Sequence, residues 1–215
     1  MAAAYTAIIQ ETDEDLEDLH RKTYSLQVAK SVSAPGAAPS YNVVYESSYL
    51  ANNMSVGWST IYGLNWLSNM PAPGDLVWHN GIWQRCELGQ SFDLNEAGEW
   101  VPNQSDPNSD PNSLNVGSNG YQTDVHIIVG VQDPDTKEWK IIWVGEDALI
   151  RKAHGEYQPH ESIHLWYQEG DLTSTMITNH GTEFQDFDMT MNPTYYFSYS
   201  TTDTDWLTPQ AQPFF

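Results

Sequence analysis

The sequence predicts an all-β protein: a single-domain β-sandwich or barrel of short antiparallel strands. Two observations carry that reading. Apolar and polar residues alternate with period two in segment after segment, as in strands with one buried face. Between those segments stand Gly, Pro, Asn and Asp, the residues that turn a chain. With 215 residues and a single cysteine, Cys86, the chain is long enough to bury a core without covalent staples and has no intramolecular disulfide.

Residues 1–22 read as an acidic N-terminal arm or a short helix, and residues 23–215 as one sandwich-like domain. Within "ETDEDLEDLHRK" (11–22), Thr12 is a candidate N-cap, acids fill the first turn, and Arg21 and Lys22 close the last. All three suit the helix dipole. "TYSLQVAKSV" (23–32) sets Tyr24, Leu26, Val28 and Val32 on one side, and "MSVGWSTIY" (54–62) does the same with Met54, Val56, Trp58 and Tyr62. "LVWHNGIWQRCEL" (76–88) reads as a hairpin, with Asn80-Gly81 supplying the tight turn between Trp78 and Trp83. "NQSDPNSDPNSLNVGSNG" (103–120) is too rich in turn formers for regular structure and reads as a polar loop. In "DVHIIVGVQDPDTKEWKIIWVG" (124–145), Val125, Ile127, Val129 and Val131 alternate, Asp133-Pro134-Asp135 turns the chain, and Trp139, Ile141 and Trp143 return. "TYYFSYS" (194–200) closes the series.

Charge narrows the partners. Twenty-nine acids against eight bases give a net charge of −21, which repels phosphate backbones and anionic lipid and excludes nucleic acid as an expected partner. The acidity reads as a solvated surface. No stretch approaches the ~20 apolar residues of a transmembrane helix. The N-terminus lacks the basic and apolar regions of a secretory signal, so a cytoplasmic location is expected.

One segment carries a catalytic spelling. In "PHESIHLWYQ", His160, Glu161 and His164 have the HExxH spacing with which a helix presents two zinc ligands and a general base. Pro159 stands directly before it, and Ile163, Leu165 and Tyr167 alternate with His164, Trp166 and Gln168. That is a strand, and a zincin needs a helix. The motif is therefore read as coincidental, with no catalytic residues, no metal and no cofactor assigned. Asp106, Asn108, Asp110 and Asn112 resemble the opening of a calcium loop, but Pro111 replaces its glycine and no Glu closes it. Stacked Asx turns account for it. Cys86 sits in an expected strand and reads as an inert thiol.

"YNVVYES" (41–47), "MSVGWSTIYGLNW" (54–66), "HLWYQEGDLTSTMI" (164–177) and "TEFQDFDMT" (182–190) are similar in order and spacing to uncharacterised fungal proteins. Those proteins have a YNVVW-like strand near the front and a VWFQ…TTMI-like strand near the back. The resemblance implies a strand at residues 163–168 and no activity.

The remaining unusual feature is nine Trp and twelve Tyr. Between residues 61 and 83, Tyr62, Trp66, Trp78 and Trp83 accompany Asn65, Asp75 and His79 in segments read as loop and hairpin. Flat apolar faces beside amides and carboxylates suit a sugar, whose C–H face stacks on a ring while its hydroxyls take directional hydrogen bonds. These seven residues are the expected ligand site of a lectin-like binding protein for a glycan or another small polar or aromatic ligand. Two other classes stay open. One is a small-molecule enzyme with an aromatic pocket and His, Asp or Glu as acid and base, gathered from His79, His126, His164 or His180. The other is a self-assembling or membrane-attacking β protein, with a homo-oligomer as its product.

Overall fold

The structure is a computed structural model that describes residues 3–170 and 172–215. β1 (Ala4–Gln10), α1 (Asp13–Arg21) and β2 (Tyr24–Ser33) open the chain, followed by β3 (Val44–Ser48), β4 (Asn53–Ser59) and β5 (Tyr62–Leu67). Shorter elements come next: β6 (Gln84–Arg85), β7 (Ser91–Leu94), β8 (Trp100–Pro102) and β9 (Leu114–Asn119). β10 (His126–Gln132) and β11 (Trp139–Val144) form the hairpin expected around Asp133-Pro134-Asp135. The long β12 (Gly155–Glu169) precedes β13 (Gln185–Asp188), β14 (Thr194–Phe197), β15 (Tyr199–Ser200) and β16 (Asp205–Trp206).

The fold is all-β, with its sheets curled into a half-barrel. The largest sheet runs β3-β2-β12-β9-β7-β8, with β13 also on β12. A four-stranded sheet runs β11-β10-β5-β6, a three-stranded one β14-β1-β4, and β15 pairs with β16. Most pairs are antiparallel, as expected. Among the described residues two are not: β1 runs parallel to β14, and β7 parallel to β9. β12, at 15 residues, is also no short strand. Its start pairs with β9, its length with β2 and its centre with β13 as well, so it joins the parts of the large sheet.

Several strands are buried on both faces, which the alternation did not announce. On β2, Leu26, Val28 and Val32 enter the main core while Ala29 packs on the other side with Val44 and Trp166. β10 divides in the same way: Ile127, Val129 and Val131 join the main core, and Ile128 meets Ile141, Val144 and Leu67 in a second cluster. β5 is buried at every position. Trp58, Trp143 and Trp166 are among the largest fully enclosed side chains, so much of the aromatic content is core.

The helix forms as its caps dictate. Thr12 is the N-cap and its Oγ1 accepts from Asp15 N at 3.2 Å; Leu16 and Leu19 turn inward. The rest of the N-terminus is no arm, because β1 hydrogen-bonds to β4 on one edge and β14 on the other. Met1 and Ala2 lie outside the described residues. The 103–120 loop is shorter than expected, since Leu114–Asn119 are β9. In the rest of it, Asp106 and Asp110 accept from the backbone of Asn108 and Asn112 in Asx turns. Residues 76–83 form no hairpin: β6 pairs instead with β5. Asn80 N donates to Trp66 O at 2.8 Å, and a Cβ on Gly81 would lie 2.5 Å from Trp66 Nε1. Gly81 is needed for close approach to a ring, not for a turn.

Between β1 and α1, Glu11 is almost fully buried and accepts from Tyr167 Oη at 2.6 Å and Tyr199 N at 3.1 Å. Burial pushes its carboxyl up to about 8 despite those donors. A carboxyl that holds its proton more tightly folded than unfolded loses stability as pH rises from about 4.5 towards 8. Denaturant melts across that window should show falling stability for the parent and a flatter curve for Glu11→Gln. No difference between the two slopes counts against it. Trp66 and Trp143 are both core, 5% and 2% exposed. Trp66→Ala and Trp143→Ala should each cost about 3–5 kcal/mol in the same melts; a loss under about 1 kcal/mol for either would remove it from the core.

Candidate functional site

The seven residues expected to hold a ligand divide into three groups. Tyr62, Asn65 and Trp66 lie on β5 and are buried. Asn65 Oδ1 accepts from Gly81 N at 3.1 Å, and Trp66 Nε1 donates to Gly98 O at 3.0 Å. The two residues fasten neighbouring loops and offer no stacking face. Trp83 leans on the second sheet, stacked on Trp139 at 5.4 Å with His79 at its edge. Asp75, Trp78 and His79 keep the expected exposed character, Trp78 at 74%. Asp75 and Trp78 share a shallow depression with Asn69 and Met70, while the His79 ring is turned to Gly81 O. Of the seven, Tyr62 alone reaches a deeper cleft, where other residues carry the chemistry.

That cleft is built by a bulge in β12. Pro159 pairs with Val32 and Ile163 with Lys30, so His160, Glu161 and Ser162 face the single residue Ser31. Bulges bend a strand and re-aim its side chains. The HExxH letters therefore lie in a strand, and their contacts diverge. His160 Nε2 is 2.7 Å from Ser33 Oγ on β2, whereas His164 Nδ1 meets Asp186 on β13. No helical zinc site can form from them.

Glu161 is the centre of the arrangement. Its Oε2 accepts from Trp58 Nε1 at 2.7 Å and from Lys30 Nζ at 3.3 Å, and its Oε1 accepts from Tyr62 Oη. Lys30 is fully buried, with its ammonium 4.3 Å from the Trp58 ring centroid. Burial lowers the Lys30 ammonium to about 8, with Glu161 pulling the other way. Burial and then the Glu161 charge push the Tyr62 phenol well up, so Tyr62 acts as a donor. Burial also depresses His160 below the usual imidazole range, which leaves it neutral near pH 7.

Above this network opens a cleft of about 670 Å³ lined by Glu161, His160, Tyr62, Arg85, Thr60 and Thr190, with Ile61, Leu88 and Pro159 as its apolar surfaces. Cys86 also borders it, but burial pushes the thiol up to about 12 and makes it a poor nucleophile. The cleft offers a fixed carboxylate, a neutral imidazole, a guanidinium and two hydroxyls to one occupant. Elsewhere His79 and His126 are turned to backbone carbonyls, while His164 and His180 meet each other.

Sequence reasoning missed Lys30, although a signal was there. Lys30 has the same parity as Leu26, Val28 and Val32, so it was the one charge on a face marked for the core. Such a charge needs a buried partner. No protein-family model, curated protein or solved structure matches the chain, and the site stands on its own geometry.

Removing one partner of a buried ion pair leaves the other charge uncompensated. Glu161→Gln should therefore destabilise the fold by about 3–5 kcal/mol, and Lys30→Met with Glu161→Gln should recover most of the loss. Denaturant melts of the two single variants and the double variant check this. Simple additivity of the single losses would show that the two side chains act independently.

Proposed function

We propose that the chain is a lectin-like binding protein that holds a small polyhydroxylated ligand, a glycan residue, in the cleft at the β12 bulge. The observation that carries this reading is Glu161, fixed at the cleft by donors from three other strands, Lys30, Trp58 and Tyr62. A carboxylate oriented before the ligand arrives accepts a sugar hydroxyl at little entropic cost. Among the described residues Oε1 has one protein donor and so keeps acceptor capacity for it. Arg85 supplies donors from the rim, while Leu88 and Pro159 face the sugar's C–H surface. The network below is already satisfied, which suits binding better than bond breaking.

A second reading, an acid–base enzyme on a small molecule, is favoured by His160. Its imidazole is neutral and lies in the cleft beside Glu161, as a general base requires. Binding without turnover separates the two readings.

Glycan-array binding and calorimetry on the parent, His160→Ala, Arg85→Ala and Trp78→Ala check the proposal. The cleft predicts at least about tenfold weaker binding for His160→Ala and Arg85→Ala and none of that loss for Trp78→Ala. The opposite pattern would move the site to the depression beside Asp75. A parent that binds no glycan but turns over a small molecule would favour the enzyme.

A further inference from the structure

A second cluster of polar groups lies farther along β12, apart from the cleft. The antiparallel register sets His164 on β12 directly opposite Asp186 on β13, and Asp186 Oδ1 meets His164 Nδ1. The carboxylate accepts, so the His164 proton sits on Nδ1 and Nε2 carries a lone pair. The connection between β12 and β13 brings back His180, whose Nε2 lies 2.9 Å from His164 Nε2. His180 is half-buried, whereas His164 is 5% exposed. Phe184 stacks on His164 at 4.4 Å, and the Trp166 edge meets both imidazoles at 5.2 and 4.9 Å. Aromatic walls thus hold the pair, and His180 gives it a route to solvent.

We propose that His164 and His180 form a two-histidine site for a divalent transition-metal ion that favours right-angled ligands, Cu(II) or Ni(II). Two nitrogens each about 2.0–2.1 Å from one ion lie about 2.9 Å apart when the angle between them is about 90°, and about 3.3 Å apart in a tetrahedron. The 2.9 Å hydrogen-bond separation of the metal-free pair equals the first spacing, so an ion of that preference enters with little movement of the two nitrogens. The ring centroids are 4.7 Å apart at an interplanar angle of 44°, whereas imidazoles meeting head-on would hold them about 5.2 Å apart. The rings are therefore bent off the head-on line, an arrangement compatible with two ligands of one ion. Asp186 supplies the outer carboxylate that fixes the tautomer and orientation of a metal-binding histidine.

Without metal, His180 Nε2–H donates to His164 Nε2. With metal, the His180 proton resides on Nδ1 and both Nε2 lone pairs bind the ion, so no net proton is lost from the neutral pair. Among the described residues no third His, Cys, Asp or Glu completes the set. Water fills the other positions, and the ion is exchangeable. On a helix the HExxH spacing would bring His160 and His164 to one zinc ion; on the strand His164 meets His180 instead.

The test is titration of the full-length protein with Cu(II) and with Ni(II) in a non-coordinating buffer. One Cu(II) per chain is expected, with a paramagnetic resonance spectrum showing two equatorial nitrogens. His180→Ala and His180→Gln should each weaken binding by more than about tenfold, and Asp186→Asn by about tenfold while both nitrogens remain. On the parent, Ni(II) should first broaden the NMR signals of His164, His180 and Phe184. No binding below about 1 mM, unchanged affinity in both His180 variants, or broadening that begins at another histidine would each overturn the proposal.

Discussion

The fold is organised around a lysine with no route to water. Lys30 occupies an inward position of β2, a strand covered on both faces, and is fully buried. Removing an ammonium from water costs several kcal/mol unless a counter-charge and hydrogen bonds replace the lost hydration. Regular pairing of β12 along β2 would give Lys30 a neighbour fixed by register. The bulge gives it a chosen one, because three residues of β12 face one of β2 and Glu161 is re-aimed at the ammonium. Trp58 completes the replacement for water, its ring facing the cation and its N–H donating to the carboxylate. A desolvated contact of the ring kind contributes about 2 kcal/mol.

The same constraint makes the cleft. A strand bulged to satisfy a buried charge cannot pack flat against its neighbours, and the space it leaves lies between β5, β6 and residues 159–161. Glu161 is therefore held from within by the core and presented outward to the cleft. Polar groups positioned by buried partners are more rigid than loop side chains that order only on contact with a ligand. That rigidity distinguishes Glu161 from Asp75, whose neighbours in the shallow depression beside Trp78 are mostly exposed loop residues.

The all-β class, the capped helix after Thr12, the hairpin at residues 124–145 and the strand character of residues 160–168 were legible because each rests on local physics. Capping, turn chemistry and period-two alternation act over a few residues. Tyr62 and Trp66 were misread as exposed loop residues for the converse reason. Tyr62 and Trp66 belong to β5, buried at every position, and which second layer covers a strand is settled by partners far along the chain. Trp66 meets Gly81, Gly98 and Tyr121. The glycines carried the missing information: a Cβ on Gly63 would come within 2.7 Å of Trp139, and one on Gly130 within 2.5 Å of Trp83. A glycine within a strand marks close approach of another group, and here the group is an indole.

A spacing motif has meaning only together with the backbone that carries it. On a helix, residues i and i+4 share a face, and HExxH gathers two imidazoles and a carboxylate. A regular strand would also place i and i+4 on one face, but some 13 Å apart, too far for one ion. β12 is not regular between them, and the bulge divides the three residues between separate networks: His160 with Ser33, Glu161 with Lys30, Trp58 and Tyr62, His164 with Asp186 and His180. Polar residues concentrate in this stretch because β12 borders β2 and β13 at once. Each polar side chain buried there must find a partner on a neighbouring strand or loop, so the apparent catalytic spelling follows from one strand meeting several separate requirements for hydrogen bonds.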